Sequence, residues 1–368
     1  MTSSGDRQGN TDQRTDGQGR PPRRRLPRLS PRAQRRIGWT AAAIAFVAVV
    51  IAIVLRSTPW PSAMLIRAVF EQGGAQTVQE MTPYVPDTPL AEHLDVQYSD
   101  GSAGADTTLD VFSPGAGETP LPTVVWIHGG AWISGSKANV DPYLRILANE
   151  GYTTVGVNYT VGPEATYPTA VRQLNEALAY LDQNAAELGI DRDRIVLAGD
   201  SAGAQLASQL AVLITNPDYE VLAGIEPAIS PDRLVGVVLN CGVFDLQGMA
   251  DLSGLAGWGF KTALWAYTGE QNWSNTAQAS LMSSMEHVTG EFPATFISGG
   301  NGDGLTWLQS VPMSHTLQAA GVDVTSLFWA VDHEPALPHE YQFHLGKFEE
   351  AHVALTETIA FLDRVTAD

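Results

Sequence analysis

The sequence predicts an α/β fold: a mostly parallel eight-stranded sheet with helices on both faces, preceded by one transmembrane helix. Three observations lead there. Apolar or β-branched runs recur at 94–98, 107–112, 123–127, 153–157, 195–199, 234–239, 294–298 and 325–330. Helical periodicity occupies 139–149, 168–187, 202–214, 306–320 and 349–364 between and after them. An uncharged apolar stretch, 37–55, precedes both patterns. Strands alternating with helices build parallel sheets, because each crossover helix covers one face. The first two runs are joined by a turn-rich segment, 99–106, and read as an antiparallel hairpin.

Composition narrows the function classes. The chain has 368 residues, 44% hydrophobic and 17% charged, which is enough apolar side chain for a large core. A single cysteine, Cys241, excludes a disulfide scaffold and a Cys-rich zinc module, and it is expected to be a buried packing residue with no catalytic role. The net charge of −19 is unevenly spread. Residues 1–36 carry ten Arg against three Asp, a net +7, so the other 332 residues sum to −26. A domain so acidic repels phosphate backbones, and nucleic acid is not an expected partner.

The N-terminal region divides into three. Residues 1–36 are polar and Arg-rich, and are expected to be a disordered cytoplasmic tail. Residues 37–55, at a helical rise of about 1.5 Å each, extend about 28 Å, the thickness of a bilayer core. Trp39 and Trp60 flank this span, and the Arg excess precedes it. The positive-inside rule then places the remainder outside the membrane, as a single-pass membrane protein. Secretion after signal cleavage is the alternative, with an n-region of unusual length and no Ala-x-Ala after Leu55. Residues 56–89 read as a linker in which Pro59 and Pro61 break the helix. A short amphipathic helix follows, started by Ser62 and ended by Gly73-Gly74. The catalytic-sized domain occupies 90–368. Within it 241–292, rich in Gly, Met, Trp and Ser, is a candidate lid over a substrate pocket.

Two motifs carry chemistry. Gly199-Asp200-Ser201-Ala202-Gly203 follows an apolar strand and opens a helix. A serine on that turn is strained and needs small neighbours, and the helix N-terminus favours developing negative charge. The bland reading is an ordinary turn capped by Ser201. His128-Gly129-Gly130-Ala131-Trp132 follows another strand. Bare backbone there lets N–H groups face a cavity, so the amides of Gly130, Ala131 and Ala202 are the expected oxyanion donors, with Gly129 a competitor. His128 reads as a brace for this loop, and Trp132 as a support or lining of the pocket.

With these two motifs the chain resembles the α/β-hydrolase superfamily, within its hormone-sensitive-lipase-like and feruloyl-esterase-like carboxylesterases. The resemblance covers about residues 90–366; many members carry a third Gly where Ala131 stands here. It implies an acid after a late strand and a histidine after the last one. Asp303, behind the glycine turn 299–302, fits the acid, with Asp245 as runner-up. His339, in Leu337-Pro338-His339-Glu340-Tyr341, fits the base ahead of His333 and His344. The order Ser201, Asp303, His339 is that of the superfamily. The expected function is a serine hydrolase cleaving carboxylic esters through an acyl-enzyme. An amidase, formamidase or peptidase on the same triad is the alternative, and a non-enzymatic binding module a more distant one. A small-molecule ester is the expected substrate. No cofactor or metal is expected: His339 and His344 are five apart, not on one helix face, and no phosphate-binding loop is present.

Overall fold

The computed structural model describes residues 30–100, 106–115 and 119–367. Eight strands form one sheet: β1 Ala91–Gln97, β2 Thr108–Ser113, β3 Leu121–Ile127, β4 Thr153–Val157, β5 Ile190–Asp200, β6 Leu234–Asn240, β7 Thr295–Gly299 and β8 Val324–Phe328. Their order is β1-β2-β4-β3-β5-β6-β7-β8. The β1/β2 and β2/β4 pairs are antiparallel and all others parallel, as the alternating pattern requires. In register, Ile127 of β3 lies beside Gly199 of β5, and Asp200 beside Asn240 of β6. The C-terminal ends of β3, β5, β6 and β7 therefore line up along one edge, where open parallel sheets bind ligands.

The helices are α1 Pro31–Ser57, α2 Trp60–Met81, α3 Asp141–Asn149, α4 Thr169–Gln183, α5 Ala185–Leu188, α6 Ala202–Thr215, α7 Pro217–Ala223, α8 Gly254–Thr268, α9 Ala277–Met282, α10 Val311–Ala319 and α11 Glu349–Val365. Two cores flank the sheet. Leu174, Leu178, Leu206 and Leu210 fill one face. Trp126, Tyr143, Leu147, Phe296 and Phe361 fill the other. Every residue of α6 is buried, so the apolar stripe expected on one side is in fact an all-round burial beneath the site.

The chain falls into two units, residues 1–54 and 55–368. The first is dominated by α1, whose hydropathy averages 2.6 over its most apolar window and whose side chains are all unburied. The tail expected to be disordered lies outside the described residues up to 29, but 31–36 are helical. Pro31 at the first turn and the Ser30 hydroxyl, which accepts from the Ala33 amide at 3.3 Å, start the helix early.

Two expectations need correction. The short helix within the supposed linker is 22 residues long: Pro61 sits in its first turn, and it runs through Gly73 and Gly74 to Met81. The glycines are held helical because α2 packs on the domain; Ala63 and Met81 are fully buried. Arg67 latches it there. Its guanidinium donates to the Ile133 carbonyl at 2.5 Å, to the Gly162 carbonyl at 2.8 Å, and to both carboxylate oxygens of Glu164 at 2.6 Å. The second correction concerns 241–292. This segment folds into α8, α9 and short helical turns, and α8 packs on the α2 side through Ala263 and Ala266.

The Arg67 latch is tested by Arg67→Ala. Loss of two carbonyl contacts and a bidentate carboxylate pair lowers stability by about 1.5–3 kcal/mol in urea unfolding. Amide exchange accelerates in α2 while β5 stays protected.

Candidate active site

The turn after β5 is the centre of the site. Ser201 has φ 52° and ψ −118°, a conformation that L residues avoid. It is held there from both sides: its amide donates to the Asn240 carbonyl at 2.9 Å, and α6 begins at the next residue. A Cβ on Gly203 would overlap the carbonyl oxygen of Ile127 at the end of β3, so the helix can approach that strand only with glycine here. The Ser201 hydroxyl is thereby lifted beside the loop that follows β3.

That loop is also strained. Gly130, Ala131 and Trp132 have φ of 110°, 53° and 59° in succession. A Cβ on Gly130 would collide with the Ser134 carbonyl, which fixes the residue type. His128 braces the loop from within: its Nδ1 is 2.8 Å from the Gly129 carbonyl, its ring stacks on Tyr159, and the Tyr159 hydroxyl donates to the His128 carbonyl. Burial pushes the His128 pKa down to about 4, so the ring is a neutral structural piece. Trp132 is fully buried and donates to Gln205 Oε1 at 2.9 Å, which makes it a support and not a lining.

The expected amide donors separate into two groups. The Gly129 N–H is committed to Asp200 Oδ2 at 2.8 Å, so it leaves the donor set, a correction to its candidacy. The amides of Gly130, Ala131 and Ala202 have no backbone or side-chain acceptor among the described residues. The first two belong to the loop after β3, and the third is the first amide of α6, where helix geometry leaves N–H groups unpaired.

Asp303 and His339 reach the same place from later loops. Asp303 lies in the turn after β7 and is buried; its Oδ1 accepts from the Leu305 amide at 2.9 Å. His339 lies in the loop between β8 and α11. Asn301 ties the two loops together, accepting from the Leu337 amide at 2.9 Å and donating to the His333 carbonyl at 2.8 Å. Gln342 adds a tether through Ser298, whose hydroxyl donates to Asn240 Oδ1. The result is a continuous chain: Asp303 Oδ2 to His339 Nδ1 at 2.7 Å, and His339 Nε2 to Ser201 Oγ at 2.9 Å. The carboxylate accepts from Nδ1–H, which leaves Nε2 free to accept the serine proton.

The competing residues are engaged elsewhere. Asp245 Oδ1 accepts from the Gly248 amide at 3.1 Å, closing a local turn. His333 pairs with Glu350 and His344 with Glu80, each at 2.7 Å.

Electrostatics fit a proton-accepting imidazole. Burial alone lowers the His339 pKa; the Cys241 sulfur and the Asp303 carboxylate oppose it, and the balance lies well above the ordinary imidazole value. Burial pushes the Cys241 thiol up to about 11, so it is neutral where an ordinary imidazole titrates. Cys241 is buried as expected, but it is no remote packing residue. It stands at φ 44° at the end of β6, its sulfur within 4.8 Å of ligand atoms of Asp303 and His339. Among the described residues these three are the one cluster of metal-ligating side chains, and two of them are already bonded to each other.

A cavity of about 360 Å³ opens over Ser201. Its walls come from the Gly129–Gly130 loop, from Asp200 and Glu340, and from the face of α2 that carries Phe70, Gly73 and Thr77. None of 241–292, the candidate lid, lines this cavity; the wall on that side is supplied by α2. Sequence reading also missed Glu340 and the part played by Asp200. The signal for Asp200 was an acid inside the serine motif; for Glu340 there was only its place after His339.

Comparison with known proteins agrees with this architecture. The chain is 33% identical over 143 residues to an acetyl esterase of Salmonella choleraesuis, covering 39% of this chain and 41% of that protein. It is 34% identical over 142 residues to an arylesterase of Saccharolobus solfataricus, covering 38% and 45%. The chain thus spans under half the length of these curated relatives. Esterase B of Lactobacillus rhamnosis superposes with a TM-score of 0.70 at 23% identity, over 83% of this chain and 95% of that one. A hyperthermophilic esterase of Pyrobaculum calidifontis gives 0.65 at 21% identity, over 91% and 98%. The shared fold is that of the α/β-hydrolase esterases. The BD-FAE family model matches residues 109–317, more than half of the sequence and the stretch that holds the loop after β3, the strained serine and the turn at Asp303, and the chain therefore belongs to the BD-FAE family.

Proposed function

We propose that the protein is a carboxylester hydrolase working through an acyl-enzyme on Ser201, held to a membrane by α1 with the catalytic unit outside. The observation that carries the reading is the hydrogen-bonded chain from Asp303 through His339 to Ser201, beside three unpaired amides. Serine is a weak nucleophile at neutral pH. His339 Nε2 takes its proton as Oγ attacks the ester carbonyl, and Asp303 stabilises the imidazolium without itself becoming protonated. The amides of Gly130, Ala131 and Ala202 receive the oxyanion; one such donor contributes about 3 kcal/mol to transition-state binding. The imidazolium then protonates the leaving alcohol. Water, activated by the same ring, releases the acid. The anchoring part of the reading is supported by the length and hydropathy of α1 and by the Arg excess before it.

The test of the nucleophile is turnover of p-nitrophenyl acetate with Ser201→Ala. A fall of about 10³-fold or more, with loss of fluorophosphonate labelling, is expected; retained turnover would sink the assignment.

The pH dependence has a definite sign. Only neutral His339 accepts a proton, so kcat/KM rises with pH through its raised pKa and is lost below it. Asp303→Asn lowers kcat by about 10⁴-fold and moves the residual limb to lower pH, because the charge that raises the imidazole pKa has gone.

Removing residues 1–56 yields a soluble protein with kcat/KM on short esters within about twofold of the full chain. The full chain stays with membranes through alkaline carbonate washing. Release by that wash would refute the anchor.

A further inference from the structure

We propose that Glu340 is a positioning residue: its carboxyl group and that of Asp200 share one proton, and this hydrogen bond fastens the histidine turn to the loop that presents the oxyanion amides. The proposal rests on the reading of Ser201 and His339 given above and adds a part to that site.

Four observations lead to it. Asp200 is buried and already accepts two hydrogen bonds, from Trp126 Nε1 on Oδ1 and from the Gly129 amide on Oδ2, both at 2.8 Å. Asp200 Oδ2 lies 2.3 Å, and Glu340 Oε1 3.1 Å, from the point a Gly129 Cβ would occupy, so the two carboxyl groups converge on one spot. Glu340 Oε1 also stands 3.7 Å from His339 Nε2. Finally, Glu340 is held at φ 58° and ψ 29°, left-handed backbone that a glycine would adopt without strain. An acid with its side chain folded back onto a second acid, on strained backbone, requires an attraction between them. Two carboxylates repel; a carboxylic acid and a carboxylate attract strongly.

Among the described residues the only positive charge beside the pair is the imidazolium of His339, 3.7 Å from Glu340, and it is absent in the state that accepts the serine proton. Facing the pair are the His339 imidazole from the same turn, bonded to Asp303; the neutral Cys241 thiol at the end of β6; and the Tyr159 hydroxyl and neutral His128 beyond β4 and β3. The basic side chains on the same cavity, His344 and Lys347, are both bonded to Glu80 of α2. While His339 is the neutral base, burial and the Glu340 charge raise the Asp200 pKa well above the carboxylate range, which keeps the shared proton in place.

Two consequences follow for catalysis. The pair carries a single negative charge beside the imidazole instead of two, which favours the neutral base. The pair also joins the turn carrying His339 to the Gly129 amide, next to the oxyanion donors. When pH rises far enough to release the proton to solvent, the two charges repel, Glu340 swings into the cavity, and the loop and the histidine lose their common brace. The wild-type profile of kcat/KM therefore has a falling alkaline limb in addition to its acid one.

The experiment compares kcat/KM against pH for the full-chain enzyme, Glu340→Gln, Asp200→Asn and Glu340→Ala on p-nitrophenyl acetate. An amide in place of either acid acts as a permanently protonated pair. Glu340→Gln is expected to abolish the alkaline limb while the acid limb stays in place, and Asp200→Asn to do the same. Glu340→Ala is expected to lower kcat at least tenfold with KM within twofold, and Gln at the same position to restore it. An alkaline limb unchanged in both amide variants, or Glu340→Gln folded and as impaired as Glu340→Ala, would overturn the proposal. Infrared difference spectra give a readout that does not depend on turnover. A protonated-carboxyl C=O band present in wild type at neutral pH and missing from Glu340→Gln and Asp200→Asn supports the shared proton; its absence from wild type refutes it even if the enzyme is active. Absence of ester turnover in wild type, with that band present, would instead refute the esterase reading and leave the acid pair standing.

Discussion

The close approach of α6 to the end of β3 is the constraint on which the site depends. Gly203 lies against the Ile127 and His128 carbonyls, with no room for a side chain. That contact sets where the helix starts, and hence where the Ala202 amide and the Ser201 hydroxyl sit relative to the loop after β3. Because α6 is buried along its whole length, this position is fixed by packing on all sides and not by the turn alone. The Ser201 hydroxyl and the unpaired amides after β3 come from segments about 70 residues apart in sequence, and one backbone-to-backbone contact brings them together.

The sheet then determines which later residues can join. Parallel strands β5, β6 and β7 end in register at Asp200, Asn240 and the Ser298–Gly299 pair. A loop leaving β7 necessarily emerges beside the serine turn, and the loop leaving β8 emerges one strand further out. Asp303 therefore needs only a tight turn to reach His339, whereas His339 arrives from farther away and needs tethers. Asn301 and the Gln342–Ser298–Asn240 network supply them. A histidine so tethered keeps both ring nitrogens aimed, one at an acceptor and one at a hydroxyl.

Much of this was legible in the sequence, and the parts that were not share a cause. Strands such as 123–127 and 195–199, and the glycine-flanked serine, declare themselves because burial and steric room are local demands on composition. The choice of Asp303 over Asp245, and of His339 over His333, follows from chain order in a resembling family; Asp303 and His339 are hydrogen-bonded to each other beside Ser201. What escaped was tertiary. Gly73-Gly74 reads as a helix end, yet α2 continues through it because its buried face is paid for by the domain it lies on. The segment 241–292 reads as a candidate lid, yet it is α2 that lines the cavity over Ser201. Gly129 reads as a donor, yet its amide is taken by Asp200, a partner visible only once β3 and β5 are side by side.

The distribution of backbone strain argues that the site is built as one piece. Six non-glycine residues have positive φ among the described residues, and five of them are Ala131, Trp132, Ser201, Cys241 and Glu340. They belong to four different loops that meet at one place. Each such residue costs about 1–3 kcal/mol, a sum no small domain sustains unless the surrounding structure over-determines it. Here strained residues are pinned by something already needed for another purpose: Ser201 by β6 and α6, Trp132 by Gln205, Cys241 by the Ser298 carbonyl of β7. Relaxing any one would release its own strain but would shift the atoms holding the next. Strain of this kind holds donors and acceptors in positions that a relaxed loop would leave, which is what the proposed acyl transfer requires: polar groups that need no rearrangement as charge develops.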